Sequence, residues 1–142
     1  MLPLSDAVAT PEESASAYRA ELARHAGDGS EVPAFDVLLL GMGPDAHVAS
    51  LFPGHEALGV MGTAVVGVHG SPKPPAERVS LTFDAICSAH EVWVVAAGAE
   101  KADAVSAALG DAPVSDAPAG GAKGTSRTLW LLDAAAAGAA PS

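Results

Sequence analysis

What the chain lacks narrows its class first. A single cysteine, Cys87, has no partner for an internal disulfide, which fits a reducing compartment and hence the cytoplasm. It lies in an apolar stretch, where a thiol behaves as a small buried hydrophobe. Basic residues are scarce: seven Lys and Arg stand against 17 Asp and Glu, for a formal charge of −10. The positive footprint that a nucleic-acid partner requires is therefore missing. No apolar run approaches the ~18 residues of a membrane-spanning helix, and no signal-peptide pattern opens the sequence, so no membrane association is expected. Internal repeats and long linkers are also missing, which leaves one domain over the 142 residues.

What is present is a layered pattern. Thr10-Pro11-Glu12-Glu13 reads as a helix start, with a threonine cap, proline at the first position and glutamate three after the cap. Ala15, Tyr18 and Leu22 come next at helical spacing, and Gly27 ends the helix, whose apolar stripe would cover one face of a sheet. Asp28–Pro33 reads as a loop. Phe35–Leu40, Ala64–Val68, Val79–Leu81, Val92–Ala97 and Thr128–Leu132 read as strands. Thr82 would cap a short helix through Ala89, Ala99–Leu109 would form a longer one, and Asp133 would cap a final Ala-rich one. Gly110–Ser126 is expected as a long surface loop, and Val48–Phe52 as a helical turn stopped by Pro53-Gly54. Strands alternating with helices predict an α/β layered fold with a mostly parallel sheet. Met1–Ser5 offers no strand before the first helix, although an α/β domain normally opens with one; the chain is expected to be part of a larger unit.

Chemistry concentrates in Phe35–Pro53, FDVLLLGMGPDAHVASLFP. A run this apolar predicts a strand buried on both faces of the sheet. Gly41 and Gly43 let the chain turn sharply, bringing backbone N–H groups close to a ligand. His47 then sits just past the carboxyl end of the strand, where open α/β sheets bind ligands, and can take a proton from water and return it to a leaving group. Asp45 either orients the imidazole or serves the turn. Gly41, Gly43 and Ala46 also satisfy a permissive G-x-G-x-x-A dinucleotide fingerprint, but Pro53 leaves little room for its helix, and Val68-His69 lacks the acid it needs. A metal set of Asp45, His47 and His55 lacks helical His spacing, and His55 lies past a proline–glycine break. His69 opens the next loop towards the site, while His25 and His90 read as helix-end residues. Ser50 lacks a nucleophile elbow and reads as a packing residue. In Ser71-Pro72-Lys73-Pro74-Pro75-Ala76-Glu77-Arg78, prolines stiffen a loop whose Lys73 and Arg78 either clamp a phosphate or face solvent.

Gly41-Met42-Gly43-Pro44-Asp45-Ala46-His47 and Val48-Ala49-Ser50-Leu51-Phe52-Pro53 together resemble the 6-phosphogluconolactonase signature Leu-Gly-x-Gly-x-Asp-Gly-His-x-Ala-Ser-Leu-Phe-Pro. Ser71–Pro75 with Arg78, Val79, Leu81 and Thr82, then Gly98–Ala102, then Leu129–Asp133 are similar to further blocks of that family, in order. The resemblance implies a layered α/β/α, Rossmann-like domain that hydrolyses 6-phosphogluconolactone to 6-phosphogluconate in the pentose phosphate pathway, without metal or cofactor. It implies His47 as the general base that activates water, with Asp45 beside it. It also implies Gly41 and Gly43 in the substrate loop, and Lys73 and Arg78 near the substrate phosphate. The related glucosamine-6-phosphate deaminases carry Phe-Asn-Glu-Pro where this chain has Ser50-Leu51-Phe52-Pro53, which favours the lactonase. A non-catalytic remnant that binds sugar phosphates is the reading from another class. Ala46 stands where the family has glycine; if that position requires a positive φ, alanine costs about 1 kcal/mol or more. The family's glycine-rich phosphate loop and Asp-x-Arg segment have no counterpart before Thr10, so the chain is expected to be the C-terminal part of such a domain, with sheet edges left uncovered.

Overall fold

A computed structural model describes residues 9–27 and 29–138; the expectations for Met1–Ser5, for Asp28 and for the chain beyond Gly138 lie outside them. Helix α1 (Pro11–His25) starts as its sequence predicts. Thr10 Oγ1 accepts the Glu13 N–H at 3.1 Å, and the Glu13 carboxylate accepts the Thr10 N–H at 2.9 Å, so two otherwise orphaned donors are satisfied reciprocally. Ala15 and Leu22 are buried, with Tyr18 beside them. What α1 covers is a separate antiparallel hairpin, β2 (Val65–Val68) and β3 (Arg78–Leu81). Arg19 crosses to that hairpin and donates to the Val65 carbonyl at 3.0 Å.

The main sheet is parallel, in the order β1 (Val37–Gly41), β4 (Glu91–Ala96), β5 (Arg127–Leu132). Its strict register puts side chains in rows. Leu38, Val92 and Thr128 share one row, and Leu40, Val94 and Trp130 the next. These face the core with Ile86 of α2 (Phe83–Ile86) and Ala104 and Val105 of α3 (Ala102–Leu109). Thr82 and Asp133 cap α2 and α4 (Ala134–Ala137) through side-chain oxygens. A 3-10 turn, Ala99–Lys101, leads into α3, and β1, β4 and β5 all begin within two residues of their expected starts.

Three expectations change. The sheet's other face is not buried: Val37 is 40%, Leu39 62%, Val95 43% and Leu131 43% exposed. The apolar run therefore predicts a two-sided burial that the described residues supply on one side only. Gly110–Ser126 is not wholly a surface loop. Ala117, Pro118, Ala119 and Ala122 are buried around a 3-10 turn at Pro118–Gly121, because residues this small fit beneath the site turn, where the Ala119 N–H donates to the Ala46 carbonyl at 2.9 Å. Val48–Phe52 is not helical. Ala46 and Ala49 both hold positive φ, 70° and 50°, and Val48 bridges to Met42 and Leu51 instead. Cys87 is half-buried, its Sγ 3.3 Å from the Gly121 carbonyl oxygen. No helix among the described residues is long and apolar enough to cross a membrane.

Candidate active site

The site begins where β1 ends. Gly41 is exposed at the strand's carboxyl end, and Met42 and Gly43 turn inward. The turn closes on itself: the Gly43 N–H donates to the His47 carbonyl at 3.0 Å and the Ala46 N–H to the Gly43 carbonyl at 2.9 Å. Between these bonds the chain reverses at Ala46, the residue with φ of 70°. The position does demand the left-handed conformation, so alanine carries the cost expected of it, about 1 kcal/mol or more.

That reversal places Asp45 against His47. Oδ1 of Asp45 lies 2.5 Å from Nδ1 of His47 and 3.2 Å from its backbone N–H. Burial opposes ionisation of Asp45, yet the hydrogen bonds from the imidazole and backbone N–H of His47 outweigh it and hold the carboxyl below the usual carboxylate range. An ionised carboxylate only accepts, so Nδ1 carries the proton and donates. In the uncharged ring the lone pair is thereby left on Nε2, as a base for an incoming water requires. Gly43 makes room for this pair. A Cβ there would lie 2.7 Å from Asp45 Oδ1 and closer still to the His47 ring.

Phe52 joins the second loop to the first. Its ring centroid is 4.5 Å from that of His47, and the Arg78 guanidinium sits 5.4 Å above it. Arg78 also braces its own loop, donating to the carbonyls of Pro75 at 3.0 Å, Pro74 at 2.9 Å and Lys73 at 3.2 Å. The Lys73 N–H is held by Ser71 Oγ at 3.2 Å, and the loop contains a cis Pro74–Pro75 bond. Buried Ser80 clamps the two segments together by accepting the Ser50 N–H at 3.0 Å. The structure thus unites Gly43, Asp45, His47 and Arg78 and orders Lys73 within the adjoining loop.

The remaining histidines go elsewhere. His55 Nδ1 accepts the Ala57 N–H at 3.1 Å, and Nε2 faces the His69 carbonyl at 2.6 Å, so its geometry is fixed despite the preceding proline and glycine. His69 pairs with Glu12 at the start of α1, and His90 leads directly into β4 rather than ending a helix. Lys101 lies in a motif of the sequence that gives it no task. Its ammonium donates to the Met42 carbonyl, inside the glycine turn. The available signal is topological: Gly41 and Ala96 leave the same end of adjacent parallel strands, so the segment after Ala96 arrives beside the segment after Gly41. A cation drawn from the seven in the chain stands at each flank of the dyad.

Residues 1–130 match the model of a family described as glucosamine-6-phosphate isomerases/6-phosphogluconolactonase. The chain is 56% identical over 132 residues to a 6-phosphogluconolactonase of Streptomyces coelicolor, covering 92% of this chain and 51% of that protein. It is 51% identical over 130 residues to one of Mycobacterium leprae, covering 92% and 53%. It superposes on a solved structure titled for the 6-phosphogluconolactonase of Trypanosoma brucei with a TM-score of 0.71 at 35% identity, over 87% of this chain and 51% of that one. The chain therefore spans about half the length of the curated relatives it matches.

Proposed function

The chain belongs to the family of glucosamine-6-phosphate isomerases and 6-phosphogluconolactonases, and from that premise we propose that it carries the base-bearing C-terminal part of a 6-phosphogluconolactonase. The reaction is hydrolysis of 6-phospho-D-glucono-1,5-lactone to 6-phosphogluconate, in the cytoplasm and within the pentose phosphate pathway. The observation that carries this reading is the 2.5 Å Asp45–His47 pair. Nε2 of His47 removes a proton from water as its oxygen attacks the lactone carbonyl. On collapse of the tetrahedral intermediate the ring C–O bond breaks, and the imidazolium returns the proton to the departing oxygen. Asp45 holds the tautomer and stabilises the imidazolium while it exists. Every step uses the chain's own acid–base groups.

Arg78 over Phe52 and Lys101 on the glycine turn bring positive charge to the pair's surroundings, with Lys73 on the same loop as Arg78, in a chain whose net charge is −10. We assign them to the substrate phosphate, with Gly41 and Gly43 letting the sugar approach the backbone. Favouring the lactonase over the deaminase is Ser50-Leu51-Phe52-Pro53, which carries no acid. The ring of Phe52 fills that place against His47 instead.

Lactone hydrolysis above the spontaneous rate, measured by acid release, tests the reading. His47→Ala is expected to remove ~10²-fold or more of the enzymatic rate. A rate untouched by that substitution overturns it. Lys73→Ala or Arg78→Ala is expected to raise KM more than it lowers kcat.

A further inference from the structure

Among the described residues, two that are not glycine hold positive φ. The left-handed turn at Ala46 puts Asp45 on His47; the second, at Ala49 with φ of 50°, is not accounted for by that pair. Val48–Leu51 is a tight turn, closed by the Leu51 N–H on the Val48 carbonyl at 2.9 Å. Ala49 is its second residue, and positive φ at that position is ordinarily left to glycine or asparagine. Strained backbone persists where its surroundings over-determine it, and it collects at sites of function. Here the surrounding bonds are dense. Ser80 Oγ accepts the Ser50 N–H at 3.0 Å, the Phe52 carbonyl accepts the His55 N–H at 3.1 Å, and the Ser115 carbonyl accepts the Gly54 N–H at 2.8 Å.

What this pinned segment delivers is the ring of Phe52, whose centroid returns to 4.5 Å from that of His47 with 33° between the planes. Such a separation is the close end of the range for paired aromatic rings. A histidine ring turns about a broad, soft torsion at its Cβ. The hydrogen bond from Nδ1 to Asp45 holds one edge, and the ring can still rock about it. A phenyl ring against the imidazole limits that rocking and so fixes the direction of the Nε2 lone pair. We propose that Phe52 is a positioning residue for the reaction assigned to His47, the second constraint on a base whose first is Asp45. At 1% exposure Phe52 offers a substrate no surface, so it acts through His47 and not on the reacting atoms. The same ring carries the Arg78 guanidinium 5.4 Å from its centroid, so one buried side chain sets the spacing of base and cation. The inference deepens the proposed function and rests on His47 being its base.

The test compares Phe52→Leu with Val92→Ala, a truncation of another fully buried side chain, towards the amino end of β4 and away from the glycine turn. Both should lower the Tm. Only Phe52→Leu should cut kcat for lactone hydrolysis, by about tenfold or more, with Val92→Ala staying within about twofold of the parent chain. The second readout needs no turnover: in Phe52→Leu the Nδ1 proton shared with Asp45, followed by proton NMR, should exchange with water faster by about tenfold or more, and in Val92→Ala it should not. Phe52→Met, which refills the space with a flexible chain and no ring, is expected to behave as Phe52→Leu does and replaces it if the leucine variant does not fold. An Nδ1 proton that exchanges as in the parent chain overturns the proposal, whatever happens to kcat. A kcat loss that Val92→Ala matches also overturns it, since general loosening would then suffice. A parent chain that hydrolyses no lactone removes the proposed function, and the Nδ1 proton then decides the positioning role by itself.

Discussion

Replacing Gly43 with alanine isolates the Asp45–His47 pair from the rest of the fold. Gly43 is not among the residues of positive φ, so the backbone accepts alanine and the effect arises from the new methyl alone. That methyl would stand 2.7 Å from Asp45 Oδ1 and nearer to Cε1 and Nδ1 of His47. Comfortable carbon contacts need about 3.5–4.0 Å, so the ring must retreat by roughly 1 Å or more. A displacement of that size at a reacting group costs on the order of 10²-fold, and loss of a positioned base 10²–10⁴-fold. Crowding of this kind destabilises by about 1–3 kcal/mol, against a typical domain stability of about 5–15 kcal/mol, so the variant folds. The expected result is a fall of ~10²-fold or more in lactone hydrolysis with a cooperative melt retained. The imidazole proton shared with Asp45, sought in the far-downfield proton NMR spectrum, should disappear with the activity. A variant that keeps both its rate within twofold and that resonance would refute the claim that the pair over Gly43 does the chemistry.

Asp45→Asn should drop kcat by about 10²–10⁴-fold, because an amide can donate to Nδ1 and leave the proton on Nε2; unchanged kcat would make Asp45 a turn residue only. Ala46→Gly relieves about 1–2 kcal/mol of left-handed strain. It also gives up roughly 0.8 kcal/mol of methyl burial and about 0.4–1 kcal/mol in unfolded-state entropy. Chemical denaturation should therefore find the two proteins within ~1 kcal/mol, and a larger loss would show that the turn does not need the glycine conformation. The hydrogen bond to Glu12 raises the pKa of His69, and the same bond lowers that of Glu12. The histidine's share of the α1–hairpin tie is thus full below the usual histidine value of about 6.5 and fades as pH rises through the raised one. The glutamate's share is full above the usual value near 4.3 and fades as pH falls through the lowered one. Carbon-detected titration of His69 should show a lower pKa in Glu12→Gln; an identical curve would dismiss the pair.

Local signals carry most of the architecture because they act over a few residues. The Thr10–Glu13 capping box needs only four positions, and the strands need only their apolar runs. His47 is legible for the same reason, since strand, glycine turn and imidazole are contiguous. The features that escape a sequence reading depend on chain segments meeting. Nothing in Ala64–Val68 announces that β2 turns its back on the parallel sheet to pair with β3. Lys101 reaches Met42 across 59 positions, and His69 reaches Glu12 across 57. The open face of β1 departs from expectation because an apolar run reports what a strand can bury, not whether a partner is there to bury it. Ala46 shows the opposite limit: residue types alone leave the need for positive φ conditional, and only the backbone resolves it.

The two hydrophobic clusters have a kinetic consequence. One lies under the parallel sheet and takes in Val66 and Val68 of the hairpin, the other lies between α1 and the hairpin, and Phe35 and Leu81 pack against both. The hairpin is a two-stranded sheet outside the parallel one, joined to it by Val66, Val68 and Leu81 and by the Ser80 and Thr82 hydrogen bonds, and such a peripheral unit is expected to open before the parallel sheet does. Exchange of Val65–Val68 and Arg78–Leu81 amides should then occur together, at lower free energy than exchange of Val92–Ala96. Simultaneous exchange of both sets would refute this. When that unit opens, Arg78 leaves Phe52 while Asp45 stays on His47. The charge that would hold a phosphate and the base that would activate water therefore belong to different dynamic bodies, and the frequency of their meeting limits how often the site is whole.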